Sequence, residues 1–352
     1  MNLKKFAKFR FARHLLCAQP AAKKIDEPVH SLLVICFDAI GDFVLSLPAL
    51  DAIKRRYPDA RIELLCSPRN LELARKVDGV LACHPITLND RLWDADGWRQ
   101  LRALKARQFD LVINLFDEPD ELAMAKILFV ANGRLVSLPL RHKSDNQQKL
   151  LPDFRLRARE VAAAGEPHFV NRMLAIVEGE TSATNIPCPC NSDYETRRFG
   201  RYVIVNLAGS QRGNTMGREL QGELLRALPA HDNLRYLLFS REPLAVSRQD
   251  LTAIYPDSIL DSATLIRDAC AVLSTDTSII HIAASYEVPT LILMNSEPWR
   301  DAFIPLYGSH QLVRAPGDSL STLKVAEVTA ALDSMLVSCS PLFAFRGLHG
   351  AD

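Results

Sequence analysis

Residues 31–50 read SLLVICFDAIGDFVLSLPAL: an apolar run, a short turn with one glycine, and apolar residues at helical spacing. A continuous apolar run with β-branched members is typical of a parallel strand that is buried on both faces. The turn at 38–42 leads into a helix that ends near Tyr57, and Pro48 inside that helix predicts a kink. This strand, turn and helix predict an α/β domain with a parallel sheet.

The same alternation continues outward and then starts a second time. Strands are predicted at 61–66, 80–83 and 109–115, and a second series of strands is predicted at 202–207, 234–239, 272–274 and 290–294. The irregular, proline-containing stretch between the two series favours a domain boundary near 180–200. We predict a basic N-terminal arm (1–30), two Rossmann-like βαβ domains (31–185 and 186–338) and a C-terminal tail (339–352).

Composition excludes several classes of protein. The chain has 352 residues, of which 48 % are hydrophobic and 24 % charged, the mix of a globular protein with a sizeable core. Such a mix argues against a disordered chain, a coiled coil and a collagen-like fibre. No uncharged apolar run approaches the roughly 20 residues that span a bilayer, so we expect no transmembrane helix.

The formal net charge of +1 is an average over two unlike parts. Residues 1–24 hold seven cations and no acid, which leaves 35 cations against 41 acidic residues in the rest of the chain. The arm also carries Phe6, Phe9 and Phe11, and basic segments with interleaved aromatics bind anionic membrane surfaces or nucleic acid. The alternative is a flexible, solvated tail. Its apolar stretch is too short and too often interrupted by charge for a secretory signal.

The eight cysteines predict a reducing compartment rather than a disulfide framework or a metal site. Cys36 and Cys270 lie in or beside apolar runs, where a free thiol behaves as a small hydrophobe. Cys188 and Cys190 form the only close pair, and no second cysteine or histidine pair stands near them at zinc spacing. We therefore expect a cytoplasmic protein with no bound metal.

The first candidate for a catalytic site is the turn after the first predicted strand. Gly41 lets the backbone turn tightly or approach a ligand. Asp42 has two interpretations: a helix cap, which the local sequence favours, and a general base at the carboxyl end of a strand. Asp38 competes for either role. Because one glycine stands alone here, the turn lacks the Gly-x-Gly-x-x-Gly of dinucleotide enzymes, and no Walker loop or Gly-x-Ser-x-Gly elbow is present.

Two loops of the second half are candidates for binding an anion. Residues 274–281 join a short strand to a helix, whose unpaired N–H groups and small hydroxyl residues suit a diphosphate, although Asp276 or Thr277 also suits a plain N-cap. His281 lies one turn into that helix, where a packed histidine is the alternative to a catalytic one. Residues 209–215 offer Ser210 and Arg212, which suit a phosphate or an ordinary surface loop.

Several of these motifs, in this order, resemble the ADP-heptose:lipopolysaccharide heptosyltransferases, glycosyltransferase family nine. The matching stretches are DAIGDFVLSLPAL at 38–50 with KRRYP at 54–58, HFVNR at 168–172, DTSIIHIAA at 276–284 with VPT at 288–290, and PLYG at 305–308. Together they cover roughly residues 31–336.

This resemblance implies a GT-B fold, in which two Rossmann-like domains face a central cleft and the second domain binds the nucleotide sugar. It implies an inverting, metal-independent transfer of heptose from ADP-heptose to a lipopolysaccharide core or lipid-linked glycan acceptor, with no cofactor. Asp42 would be the general base in a turn supported by Asp38 and Gly41. The donor diphosphate and sugar would be bound by Ser210, Arg212, Asp276, Thr277, Ser278 and His281. A lipid-linked acceptor would place the enzyme at the inner membrane through residues 1–24, with no nucleic-acid partner.

The departures from the family pattern all lie on the donor side. Ser278 replaces a glycine, Asn214 stands in a loop where the family has a lysine or arginine with Trp-Pro, and NSEP at 295–298 replaces Gly-Pro-Thr-Asp. Arg212 or Arg218 would have to supply the missing charge. Three alternatives therefore stay open: a transferase for another nucleotide sugar, a GT-B-like binding protein without activity, and, more distantly, a nucleotide-sugar epimerase.

Overall fold

The chain folds into two compact units, Met1–Thr184 and Asn185–Asp352. A computed structural model describes residues 3–25, 27–36, 39–88, 94–141, 144–161, 168–177, 184–209, 212–240, 242 and 246–346. Each unit is built on a six-stranded sheet in which all neighbouring strands are parallel.

The sheet of the first unit has the strand order β3-β2-β1-β4-β5-β6. Its strands are β1 Ser31–Cys36, β2 Arg61–Cys66, β3 Val80–Pro85, β4 Leu111–Asn114, β5 Leu135–Ser137 and β6 Arg159–Glu160. Its helices are α1 Leu3–Cys17, α2 Ile40–Arg56, α3 Leu71–Ala74, α4 Ala95–Ala106, α5 Glu121–Ala131, α6 Asp145–Arg155 and α7 Phe169–Leu174. This strand order is that of a Rossmann fold.

The sheet of the second unit repeats the order, as β12-β11-β10-β7-β8-β9. Its strands are β7 Arg201–Asn206, β8 Leu234–Phe239, β9 Leu251–Ile254, β10 Ala271–Thr275, β11 Thr290–Asn295 and β12 His310–Ala315. Its α-helices are α8 Arg218–Ala227, α9 Ile259–Arg267, α10 Ser278–Ser285 and α11 Val325–Arg346, and 3-10 turns span Arg197–Phe199, Arg212–Asn214, Pro298–Phe303 and Leu320–Thr322. Both predicted Rossmann-like domains are thus present.

The central strands are buried because crossover helices cover the sheets. Residues 32–35 of β1 and 271–275 of β10 are fully or almost fully excluded from solvent. In both sheets the strands are parallel, so all carboxyl ends in one sheet meet at the same edge. The connections that follow β1, β4, β7, β10 and β11 therefore bring their polar residues to these edges.

The N-terminal segment is not the separate arm that its charge predicted. Leu3–Cys17 forms α1, which packs on α5 and adds Ala12 and Leu16, both fully buried, to the core of the first unit. Phe11 contacts the ring of Trp98 edge-on, with ring centroids 5.9 Å apart. The alternative of a flexible tail is also wrong for α1, because Phe9, Leu15 and Leu16 on its inner face pack in or against the core.

The C-terminal tail also begins later than predicted. Helix α11 continues to Arg346, eight residues past the expected end of the domain at 338. Among the helices in the described part of the chain, none has both the length and the apolar character needed to cross a bilayer.

Replacing Leu16 by alanine should destabilise the first unit, because a fully buried leucine leaves a cavity beneath α1. We expect a loss of about 2–5 kcal/mol. The exposed neighbour His14 is the matched control, since His14→Ala should change stability by less than about 0.5 kcal/mol. Urea unfolding followed by tryptophan fluorescence measures both, with Trp98 reporting on this face. Equal midpoints for the two variants would show that α1 is not part of the core.

Candidate functional site

The carboxyl edge of the first sheet holds Asp42 in the first turn of α2. Its Oδ2 accepts a hydrogen bond from the backbone N–H of Ala39, at 3.2 Å, so the carboxylate caps the helix that it belongs to. Gly41, beside it, is buried, whereas Asp38 lies outside the described residues. A negative charge in the first turn also suits the helix dipole. The prediction that Asp42 caps α2 is therefore confirmed. The hydrogen bond orients the carboxylate and is compatible with a role for Asp42 as a general base.

Asp42 also lines a recess at this edge. Its neighbours there include Cys36 from the end of β1, Ser46 from α2, and Phe169 and Met173 from α7. The space is about 10 Å³, room for roughly one water molecule or hydroxyl group. The Asp42 carboxylate therefore lies on the wall of a small recess that is lined mostly by apolar side chains.

A second polar cluster follows β4 on the same edge. Asp117 is buried and forms ion pairs with Arg141 at 3.0 Å and with Arg172 of α7 at 2.9 Å. Arg141 also pairs with Glu118 at 2.9 Å. Burial raises the pKa of the Asp117 carboxyl, although the two guanidinium groups act to lower it. The pairs join the ends of β4 and β5 to α7, which lines the Asp42 recess.

The histidine of the 168–172 motif has a capping role. His168 is the N-cap of α7, and its Nδ1 accepts a hydrogen bond from the N–H of Val170 at 3.3 Å. Arg172, at the other end of the motif, supplies the ion pair to Asp117. The motif therefore places α7 against the edge that carries Asp42.

The carboxyl edge of the second sheet is tied together by Asn206 and Thr277. Asn206, at the end of β7, donates through Nδ2 to Ser274 Oγ and to Thr277 Oγ1, both at 3.1 Å. Thr277 is the N-cap of α10, and its hydroxyl accepts from the N–H of Ile279 at 3.4 Å. The hydroxyl of Thr275, at the end of β10, is buried and has no hydrogen-bond partner among the described residues.

The predicted loop after β7 packs directly against this N-terminus. Asn214 donates through Nδ2 to the backbone oxygen of Asp276 at 2.9 Å. The Thr215 hydroxyl accepts from the N–H of Gly209 at 3.1 Å and donates to its carbonyl at 2.9 Å, which closes the loop. A Cβ on Gly209 would lie 2.8 Å from the Cβ of Asn214, so this glycine permits the close approach.

Asp276 is engaged by a residue that no motif predicted. The Arg300 side chain is only 2 % exposed, and its Nη1 is hydrogen-bonded to Asp276 Oδ2. Its Nε donates to Asn295 Oδ1 at 2.5 Å and its Nη2 to Glu297 Oε2 at 3.0 Å. Hydrogen bonds from the Trp299 side chain, Arg300 and Asn295 hold the pKa of the Glu297 carboxyl below its ordinary value.

The structure brings together some of the other predicted donor residues. Ser278 opens α10 half-buried, and His281 lies one turn further in, buried at 7 % exposure. Arg212 begins a 3-10 turn beside Asn214, and Ser210 lies outside the described residues. Arg218 starts α8, and its exposed guanidinium pairs with Glu242 at 2.7 Å.

Known structures share this architecture. A glycosyl transferase family 9 protein from Veillonella parvula DSM 2008 has a TM-score of 0.69 and 13 % identity, covering 90 % of this chain and 99 % of its own. The heptosyltransferase WaaC of E. coli, solved with ADP, gives 0.67 and 18 % identity, covering 87 % and 99 %. The ADP-heptose lps heptosyltransferase II of E. coli gives 0.65 and 15 % identity, covering 88 % and 99 %. No protein-family model and no curated protein matches the sequence.

The chain has the fold of these glycosyltransferases. The predicted α/β class, with two Rossmann-like domains as in the GT-B fold, is therefore confirmed. At identities below a fifth the likeness concerns the fold, and the chemistry has to be argued from the residues at the two sheet edges.

Sequence reasoning missed the ion-pair clusters around Asp117 and Arg300. Asp117 comes shortly after a predicted strand, which is the same signal that singled out Asp42. Arg300 lies in a stretch that resembles an ordinary loop, and its burial depends on Asp276, which is 24 residues earlier in the chain. The local sequence shows that a polar residue follows a strand. It does not show which distant residue will form an ion pair with it at the sheet edge.

Thr277 and Thr275 allow a matched test of the hydrogen bonds at the second edge. Thr277→Val keeps the shape but removes the cap and the acceptor for Asn206, so stability should fall by about 1–2 kcal/mol. Thr275→Val removes a buried hydroxyl without a partner among the described residues and should be neutral or slightly stabilising. Thermal unfolding of both variants is the measurement. A Thr275→Val loss as large as that of Thr277→Val would contradict this description of the edge.

Proposed function

We propose that the protein is an inverting, metal-independent glycosyltransferase that transfers heptose from ADP-heptose to a lipopolysaccharide core acceptor. The observation that carries the proposal is the place of Asp42: a carboxylate that lines a recess at the carboxyl edge of the first sheet, on a fold shared with heptosyltransferases. The acceptor would then be bound by the first unit and the nucleotide sugar by the second.

Inversion requires one in-line displacement at the anomeric carbon of the donor sugar. The acceptor hydroxyl attacks this carbon, its proton passes to a base, and the bond to the nucleoside diphosphate breaks. Asp42 is proposed as the base. The hydrogen bond from Ala39 to Oδ2 orients the carboxylate. The proton of the acceptor would therefore pass to a group that is already in position.

The leaving diphosphate gains negative charge as the bond breaks, and this charge has to be stabilised. On the second edge we assign this role to the first turn of α10, with Thr277, Ser278 and His281, and to Ser210 and Arg212 of the neighbouring loop. Asp276 is proposed to contact the donor sugar. A helix N-terminus and a guanidinium group would here do the work that a divalent cation does in other transferases.

The Asp42→Asn variant separates the base from the cap. Asparagine keeps an oxygen that accepts from Ala39, so the fold should survive, but it cannot take the acceptor proton. Transfer should fall by at least about 100-fold, whereas ADP should raise the melting temperatures of the variant and of the wild type equally.

Asp94→Asn is the matched control. Asp94 caps α4 through a hydrogen bond from Gly97 at 3.0 Å and has no proposed chemistry, so its variant should turn over normally. Full activity of a folded Asp42→Asn enzyme would show that Asp42 is only a cap. A nucleotide sugar that raises the melting temperature more than ADP-heptose does would identify a different donor, and no stabilisation by any nucleotide would favour a binding protein without transferase activity.

We also propose that the protein works in the cytoplasm, at the anionic surface of the inner membrane, through the outer face of α1. Lys5, Phe6, Arg10 and Arg13 are exposed on this helix, while Ala12 and Leu16 face the core. The exposed cations therefore lie on a folded helix and not on a flexible arm. A basic helix face of this kind supports the membrane proposal.

Because α1 belongs to the core, its removal is not a clean test, and its exposed cations should be replaced instead. A triple variant Lys5→Gln/Arg10→Gln/Arg13→Gln should bind anionic vesicles about 100-fold more weakly at low salt, at about 1 kcal/mol per cation. The charge-matched control is Arg197→Gln/Arg235→Gln/Lys324→Gln, three exposed positions in the second unit. Equal vesicle binding by the two triple variants, measured by cosedimentation, would refute a role for α1.

A further inference from the structure

Arg300 is a fully buried cation at an edge where buried charge is costly. Its guanidinium has three acceptors, on Asp276, Asn295 and Glu297, one for each of its nitrogens. It also lies over the Trp299 ring, 4.4 Å from the centroid. A buried arginine with this full set of partners holds them in one geometry, because any of them that moves leaves a charged group unsatisfied.

The partners of Arg300 come from separate segments of the second sheet edge. Asp276 lies between β10 and α10, Asn295 ends β11, and Glu297 precedes the 3-10 turn Pro298–Phe303. Asn295 in addition donates through Nδ2 to the Asp318 carbonyl at 2.9 Å. Arg300 thus connects the N-terminus of α10 to the end of β11, and Asn295 extends the connection to the segment after β12.

The loop after β7 is held by the same group. Asn214 donates to the Asp276 carbonyl, and Gly213 fits so closely that a Cβ there would lie 2.8 Å from the Asp318 carbonyl and 3.2 Å from Asn295 Nδ2. The turn Arg212–Asn214 therefore rests on residues that Arg300 positions. Displacing Arg300 would release both loops to which donor binding is assigned.

Charge gives Arg300 a second effect. Asp276 and Glu297 are both within reach of its guanidinium, so the cation offsets two carboxylates beside the start of α10. Without it, these carboxylates would repel a nucleoside diphosphate and counteract the helix dipole.

We propose that Arg300 is a positioning residue for the donor: it fixes Asp276 and the Arg212–Asn214 turn, and it neutralises Asp276 so that a nucleoside diphosphate can approach α10. This inference rests on the proposed function for the identity of the ligand. It also gives a role to the departure at 295–298, because Asn295 and Glu297 are the residues that hold Arg300.

Variants of Arg300 test the proposal in the full-length protein. Arg300→Met removes the charge and the hydrogen bonds, and Arg300→Lys keeps the charge but cannot reach all three acceptors. Arg300→Met/Glu297→Gln removes one carboxylate as well and keeps a folded protein available if the single variant is too unstable. The control is Arg314→Met, which breaks the ion pair to Asp301, a residue of the same 3-10 turn.

Two measurements are made on folded protein, below its melting range. Hydrogen exchange without ligand should rise about tenfold in peptides spanning 212–216 and 275–281 for Arg300→Met, and should stay unchanged for Arg314→Met. Calorimetric titration with ADP should show an affinity about tenfold or more weaker for Arg300→Met, and partial rescue in Arg300→Lys.

The outcomes distinguish a failure of the positioning role from a failure of the proposed function. Unchanged exchange in Arg300→Met overturns the positioning role, and so does a wild-type affinity for ADP despite a lower melting temperature, which would mark a purely structural residue. Failure of the wild type to bind ADP or any nucleotide sugar overturns the proposed function, and the donor-positioning role with it.

Discussion

Burial of both faces of each parallel sheet is the constraint on which the rest of the structure depends. Parallel strands need crossover helices, and these helices must cover the sheet completely because β1 and β10 have almost no exposed surface. In the first unit, α5 is apolar around most of its circumference and cannot face water itself. Helix α1 covers it, which explains why a strongly basic segment became part of a core. Lys5, Arg10 and Arg13 of α1 remain exposed, whereas Lys8 is partly buried and pairs with Asp120, the N-cap of α5, at 2.7 Å.

The same burial determines what polar residues can do at the sheet edges. A carboxylate or guanidinium that is removed from water must be paired, and Asp117 and Arg300 each satisfy this condition with more than one partner. The burial of Asp117 is unfavourable for its charged form, because it raises the pKa of the carboxyl in spite of two neighbouring arginines. A carboxyl whose pKa is raised on folding costs stability when it is ionised. This cost shrinks as the pH falls below the folded pKa and is gone below the pKa of the unfolded chain. The partly exposed Glu297 is the opposite case, since hydrogen bonds lower the pKa of its carboxyl.

Much of the fold was predictable, because buried strands leave a clear apolar pattern. The strands at 31–36, 61–66, 201–206, 234–239 and 290–295 all lie within a residue or so of the positions that their sequences predicted. Helix α5 was missed because its residues are apolar on nearly every side and show no amphipathic period. Strands β5, β6 and β9 were missed because two to four residues are too few for a period to emerge.

The site was predictable where its chemistry follows directly from one strand, and not where it depends on distant pairs. Asp42 and Thr277 each follow a strand and open a helix, so their places could be inferred from the local sequence. Arg300 acquires its surroundings from Asp276 and Asn295, and no local pattern contains both.

Pairing of this kind changes how departures from a family motif are judged. Judged position by position, NSEP at 295–298 and Asn214 remove features that the family uses, which suggests a weakened donor site. In the folded chain, Asn295 and Glu297 instead bind an arginine, and Asn214 binds the backbone of the segment that this arginine holds. The substitutions therefore form one connected set around a single cation. Substituted residues that form hydrogen bonds with one another keep the sheet edge rigid. Unrelated substitutions at the same positions would leave buried donors and acceptors without hydrogen bonds. Asn295 and Glu297 therefore supply hydrogen bonds to one buried guanidinium, so their difference from the family pattern is not by itself the mark of a weakened edge.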